Sequence, residues 1–221
     1  MQNTIRILFF VVGFSLAGLG SASAQALDIS SGGAPTITGS SGGSVTGSSS
    51  VLNDLSVTIN FGEISPLDTN SIVKVTVPIA IRSNGPYKVT VTYTGATNAN
   101  AQALQKTDIG FGINNFHAMG GNSRVCVNSN HLIYSPFSND PSSSVSLAAN
   151  GRAQYTSDLA DLSGATTILT GPRLSNGTNA RQTDDGYIFN AILAITPQFY
   201  ATGTTSATLT FTISTGPTVP C

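Results

Sequence analysis

An all-β fold is what this sequence predicts, on three observations. Over several stretches every second residue is apolar, the period of a strand buried on one face only. Clusters of Asn, Asp, Gly, Pro and Ser separate these stretches, as turns separate antiparallel strands. Strong helix formers are sparse, and no long stretch repeats its apolar residues at about 3.6.

The elements follow in order. Residues 1–24 read as a secretory signal peptide: Arg6 is the single charge, Ile7 to Leu19 is apolar, and Ala22-Ser23-Ala24 is a small-residue cleavage site. That apolar run is too short and Gly-rich to read as a spanning helix by preference, an uncleaved anchor being the alternative, and nothing later approaches spanning length. The mature chain is therefore expected to carry no transmembrane segment. Residues 25–50 form a Gly/Ser/Thr-rich N-terminal arm, either a flexible linker or an extended strand. The β-sandwich domain is expected to occupy residues 51–221. Its first strand has Leu55, Val57, Ile59 and Phe61 on one face. Next, Val73, Val75, Val77, Ile79 and Ile81 alternate with Lys74, Thr76, Pro78, Ala80 and Arg82. Pro78 cannot donate to a ladder, which puts this strand at an edge or bulges it there. Ser83-Asn84-Gly85-Pro86 is a turn, and Tyr87, Val89, Val91 and Tyr93 point inward beyond it, so the two strands are expected to form a hairpin. Short apolar runs fill the middle. Phe189, Ala191, Leu193 and Ile195 share one face of the penultimate strand, and Ala207, Leu209, Phe211 and Ile213 one face of the last. Many short strands between regular turns indicate an immunoglobulin-like antiparallel β-sandwich in preference to a closed barrel.

Composition narrows the function. Charged residues are 9% of the chain, against roughly a quarter in ordinary proteins. Without Arg6, eight basic residues face ten acidic ones, a net charge of −2 and no basic patch, so nucleic acid is not an expected partner. In an exported chain with two cysteines, Cys126 and Cys221, the default is one disulfide, closing a loop of about 95 residues; free thiols or an intermolecular bridge are the alternatives.

From Leu55 onward the chain resembles the spore coat protein U-like domain, which is also the domain of archaic chaperone–usher pilins. The resemblance rests on Leu55-Ser-Val-Thr-Ile-Asn-Phe-Gly62, Pro66-Leu67, Val73 to Arg82 and Gly85 to Val91. It resumes at His117-Ala118-Met119, Ile133-Tyr134, Ile195-Thr-Pro-Gln198 and Thr205 to Ser214. Two features depart from the family: the second strand has no Cys, and Thr215 to Cys221 continue past the last strand. The resemblance implies a sandwich lacking its final strand, completed by a neighbour's arm through β-strand addition. The donor would be the arm, with Leu27, Ile29, Ile37, Val45 and Val51 as its apolar residues. The acceptor groove would be bounded by the first and last strands, through Leu55, Val57, Ile59, Phe61, Leu209, Phe211 and Ile213. It also implies a periplasmic chaperone and usher as partners, and a secreted or cell-surface location reached through the periplasm. The function expected is therefore an exported structural or adhesive surface subunit; the alternative is a monomeric secreted sandwich that binds glycans or another surface component.

Catalytic signals are weak, and neither enzyme activity nor a cofactor is expected. Gly39 to Gly43 matches GxSxG formally but lacks the strand and helix of a nucleophile elbow. His117 and His131 are the two histidines, and nothing in their spacing to Asp108 or Asp140 marks a triad. Asp184-Asp185-Gly186, or Asp158 with Asp161, could lend oxygens to Ca²⁺, but no EF-hand spacing accompanies them, and no metal site is expected. Gly110-Phe111-Gly112 is not a phosphate loop. Asn176-Gly177-Thr178 is a formal glycosylation sequon and reads as a turn.

Overall fold

The computed structural model describes residues 25–48, 52–65, 67, 72–95, 103–119, 130–174, 186–201 and 206–220. Thirteen strands run through them in chain order: β1 Leu27–Ser31, β2 Thr36–Thr38, β3 Ser44–Ser48, β4 Asp54–Asn60, β5 Val73–Ser83, β6 Tyr87–Gly95, β7 Gly110–Met119, β8 Leu132–Ile133, β9 Ser146–Leu147, β10 Ala153–Gln154, β11 Thr166–Gly171, β12 Gly186–Ile195 and β13 Ser206–Thr215. One sheet has the order β1-β5-β12-β7, with β2 also on β5; the other is β3-β4-β13-β6-β11-β8. The pairings are antiparallel, and the inward residues of both sheets meet in one core, the all-β immunoglobulin-like sandwich that the alternation predicts.

The period of two translates directly into burial. Leu55, Val57 and Ile59 on β4, Val73 to Ile81 at every second position on β5, and Leu209, Phe211 and Ile213 on β13 are all buried. Fully burying each such side chain contributes about 1.5–3 kcal/mol. β12 departs from simple alternation: Ile192 and Ala194 on its outer face are buried too. The β9-β10 hairpin and the residue after it cover Ala194, with Ala153 and Tyr155 packed against it. Gly110 and Gly112 let this segment and the loop after β8 approach β7 closely. A Cβ on Gly110 would lie 2.5 Å from the Tyr155 ring, and one on Gly112 would lie 2.3 Å from the Asn139 carbonyl oxygen. The Gly-Phe-Gly run is thus a packing device.

Two local expectations change in three dimensions. β5 and β6 do not form a hairpin. The Ser83–Pro86 connection carries the chain from one sheet to the other, so their apolar faces oppose each other across the core. Nor is β5 an edge strand, since β12 flanks it on one side and β1 and β2 on the other. Pro78 fits because its carbonyl accepts from Gly32 N–H at 2.8 Å on the side where the chain steps from β1 to β2. In a strand a residue's N and O point the same way, so the missing donor falls at this break in the ladder.

Gly62 ends β4 with φ of 71°, and a Cβ there would stand 2.4 Å from the Ser41 carbonyl oxygen and 2.5 Å from the Gly43 nitrogen. Ser41 and Glu63 exchange backbone hydrogen bonds of 2.8 and 3.1 Å beside it. Gly62→Ala is expected to cost more than about 1 kcal/mol through left-handed strain and displacement of this turn. Thermal unfolding followed by circular dichroism checks this, and an unchanged midpoint would contradict it.

Candidate assembly interface

The arm is built into both sheets of its own chain. β1 pairs with β5 in the register Leu27↔Ser83 to Ser31↔Ile79. Ile29 reaches the core with no exposed surface, and its N–H donates to the Leu52 carbonyl at 2.9 Å, stitching the two sheets together along this side. Asp28 is buried and accepts from Arg82 Nη1 at 3.0 Å. The start of the arm is pinned to the Ser83–Pro86 turn. Gln25 Nε2 donates to Ser83 Oγ at 2.9 Å and to the Pro86 carbonyl at 2.8 Å, and Ala26 N–H donates to Asn84 Oδ1 at 2.8 Å. β2 then pairs Thr36 with Thr76 and Ile37 with Val75. β3 crosses to the other sheet and pairs Val45 with Ile59 on β4. Leu27, Ile37 and Val45 pack on the core while partly exposed. Val51 lies outside the described residues.

The acceptor groove expected between the first and last strands is closed within the chain. β4 and β13 are hydrogen-bonded neighbours, from Ser206↔Asn60 to Thr212↔Asp54. Leu55, Val57, Ile59, Phe61, Leu209, Phe211 and Ile213 are all buried. The physical reason is register: both strands turn their apolar residues to the core at matching positions, so direct pairing satisfies backbone and side chains together. The arm therefore adds strands outside this pair, on β5 and β4, instead of between its members.

The remaining polar candidates hold structure. His131 Nδ1 lies 2.7 Å from the Tyr87 hydroxyl, and its ring stacks on Tyr187 at a centroid distance of 4.0 Å. His117 is exposed on β7, with Nδ1 3.0 Å from the Asn115 carbonyl. Asp158 and Asp161 form the capping box of the short 3-10 helix Leu159–Asp161, and Asp158 Oδ1 accepts from Ala160 N–H at 2.8 Å. Burial first, then the charges of Asp161 and Asp108, push the Asp158 carboxyl up against the opposing backbone hydrogen bonds. Among the described residues no cluster of three or more His, Cys, Asp or Glu is placed to hold a metal. Gly39 to Gly43 form the turn between β2 and β3, where a strand follows instead of a helix. The signal peptide, Cys126, Cys221, Asp184, Asp185 and the Asn176 sequon lie outside the described residues. Asn130 Nδ2 donates to the Pro220 carbonyl at 2.7 Å, so chain near each cysteine comes together.

Sequence reasoning missed the ion pairs, which join positions far apart in the chain. Lys74 Nζ meets Asp140 Oδ2 at 2.5 Å, tying β5 to the loop after β8. Partial burial pushes the Asp140 carboxyl up. The hydrogen bonds from Lys74 and from the Ser142 hydroxyl and N–H outweigh that and leave it below its ordinary value. A depressed folded pKa contributes stability above the unfolded pKa, and that contribution is lost as pH falls through the folded one. Asp140→Asn is expected to cost under about 1 kcal/mol near neutrality, as partly solvated pairs do. It should also flatten the stability loss that begins below about pH 4. Melting midpoints of both proteins from pH 6 downward check this, and parallel curves would contradict it.

Comparison with protein families, with curated proteins and with solved structures finds no match for this chain.

Proposed function

We propose that this chain is an exported structural or adhesive surface subunit that assembles by passing its N-terminal arm to a neighbouring copy. The observation that supports the reading is the arm's attachment: residues 27–48 pair with both sheets, yet among the arm's described residues Ile29 is the one fully buried large apolar side chain. Most of the contact is backbone ladder, which an identical arm from another subunit satisfies in the same register. Exchange in this manner replaces arm contacts within one chain by the same contacts between two. A Cys126–Cys221 disulfide would brace the subunit in an oxidising compartment, with loss of the bridge costing about 2–5 kcal/mol. Peptide mapping without reductant checks it, and recovery of both cysteines as free thiols would contradict it.

A second reading is favoured by the same strands. Because the arm completes its own sheets, the chain also suits a monomeric secreted sandwich that binds glycans or another surface component. Unheated SDS gel electrophoresis of the exported mature protein separates the two readings. A heat-sensitive ladder that disappears on deletion of residues 27–48 supports arm exchange. A single monomer band from the intact protein overturns it and leaves the monomeric sandwich.

A further inference from the structure

The outer face of the larger sheet carries a two-dimensional net of hydroxyl groups. On β13, Thr208, Thr210 and Thr212 stand opposite Thr94, Thr92 and Thr90 of β6. On the other side of β13, Thr58 and Ser56 of β4 face Thr208 and Thr210. Thr46 on β3 and Thr167 on β11 prolong two of these rows outward. Neighbouring strands lie about 4.7–4.9 Å apart, and alternate residues repeat about every 6.4–6.8 Å along a strand, so the rows form a regular lattice. Hydroxyls link across it, with Thr58 Oγ1 and Ser56 Oγ each 3.0 Å from the Thr208 and Thr210 oxygens.

We propose that this net is a binding face for ice. The lattice is rigid, because threonine is stiff at χ1 and the inner face beneath it is packed by the buried Val57, Leu209, Phe211 and Val91. A rigid array loses little conformational freedom on binding. Its interior is also neutral: the rows through Thr208 and Thr210 carry no charge among the described residues, Asp54 is the β4 end of the row through Thr212, and Lys88 lies one row further on, opposite Ser214. A neutral, repeating surface of methyl and hydroxyl groups matches a neutral, repeating lattice of water. A charged polymer finds no counter-charge on it. A polysaccharide finds no aromatic platform, since Tyr87 and Tyr187 are buried on the inward side. Strand propensity alone does not account for the net. The outward positions of β5 in the same molecule are Lys74, Thr76, Pro78, Ala80 and Arg82. Sheet twist confines the coplanar part to the central strands β4, β13 and β6.

The test is ice-affinity partition of the exported mature protein, in which a slowly grown ice hemisphere is separated from the liquid and protein is measured in both. The intact protein should be enriched in ice over a non-binding reference. Thr210→Tyr, at the centre of the net, should lower that enrichment at least about tenfold, the effect of one lost central contact. Thr76→Tyr on the other sheet should leave it unchanged. Thermal melts confirm that both variants are folded. Exclusion of the intact protein from ice overturns the proposal, as does enrichment of Thr210→Tyr equal to that of the intact protein. Retention on crystalline cellulose without ice enrichment also overturns it.

Discussion

Replacing Asp108 with alanine is expected to lower the unfolding free energy by about 2–4 kcal/mol, because it removes an almost fully buried charged acceptor and leaves a half-buried guanidinium without its counter-ion. Asp108 ends the short 3-10 helix Lys106–Asp108 and is almost fully buried. Its Oδ1 accepts from Arg152 Nε at 2.9 Å, and its Oδ2 accepts from Arg152 Nη2 and, at 2.7 Å, from the Gln105 N–H. Arg152 Nη2 also donates to the Ala103 carbonyl at 3.1 Å, and the guanidinium lies over the Tyr200 ring at 5.6 Å. One bidentate pair thus ties the chain entering β7 to the β9-β10 hairpin and the segment after β12. Alanine removes the acceptor for three N–H groups at once. Asn restores one oxygen and no charge, and should recover part of the loss. The double variant Asp108→Leu with Arg152→Met should be far less damaging than the sum of its single changes, since an apolar pair of similar volume removes both desolvated charges. Chemical denaturation of these variants, with the single changes Asp108→Leu and Arg152→Met beside the double, measures this. A loss below about 1 kcal/mol for Asp108→Ala would mean that the pair behaves as a solvated surface bridge.

Ile29→Ala is expected to cost about 2–5 kcal/mol, the range for truncating a well-packed core isoleucine. This outcome is not legible in the arm's composition, where Gly, Ser and Thr dominate. It follows from position. β1 lies against β5, so Ile29 stands opposite Ile81 and closes the core on that side. Ile37, on the same arm but partly exposed, should cost less than half as much when truncated to alanine. The comparison separates an arm docked in its native register from one that merely touches the domain. Equal small effects at both positions would show that the arm does not hold the strand positions of β1 and β2. In an arm-exchanged assembly the Ile29 effect persists, but it becomes dependent on protein concentration, because the contact is then between subunits.

Five of the six long strands, β4, β5, β6, β12 and β13, could be read from alternation, because on a pleated strand the side-chain period states which residues face the core; β7, with its Gly-Phe-Gly run, could not. Gly62 was legible only as the end of the Leu55–Gly62 strand segment; its left-handed backbone and close approach to Ser41 were not. Which strands are neighbours was a different matter. β5 and β6 show identical alternation whether they pair in one sheet or face each other across a core, and the closed core selected the second. Apolar content argued weakly for the arm, and its docking comes mostly from backbone groups filling two open sheet edges, which leave no side-chain pattern. The Asp108–Arg152 bridge and the threonine net likewise arise from residues distant in the chain and adjacent in space. What the sequence by itself determined was thus the all-β class, the inward face of those five strands and the low overall charge, since these depend on composition and on residues one or two positions apart. The tertiary structure alone decided strand order, the closure of β4 on β13 and the arm's place on its own sheets, because hydrogen-bond pairing is chosen by long-range competition among edges.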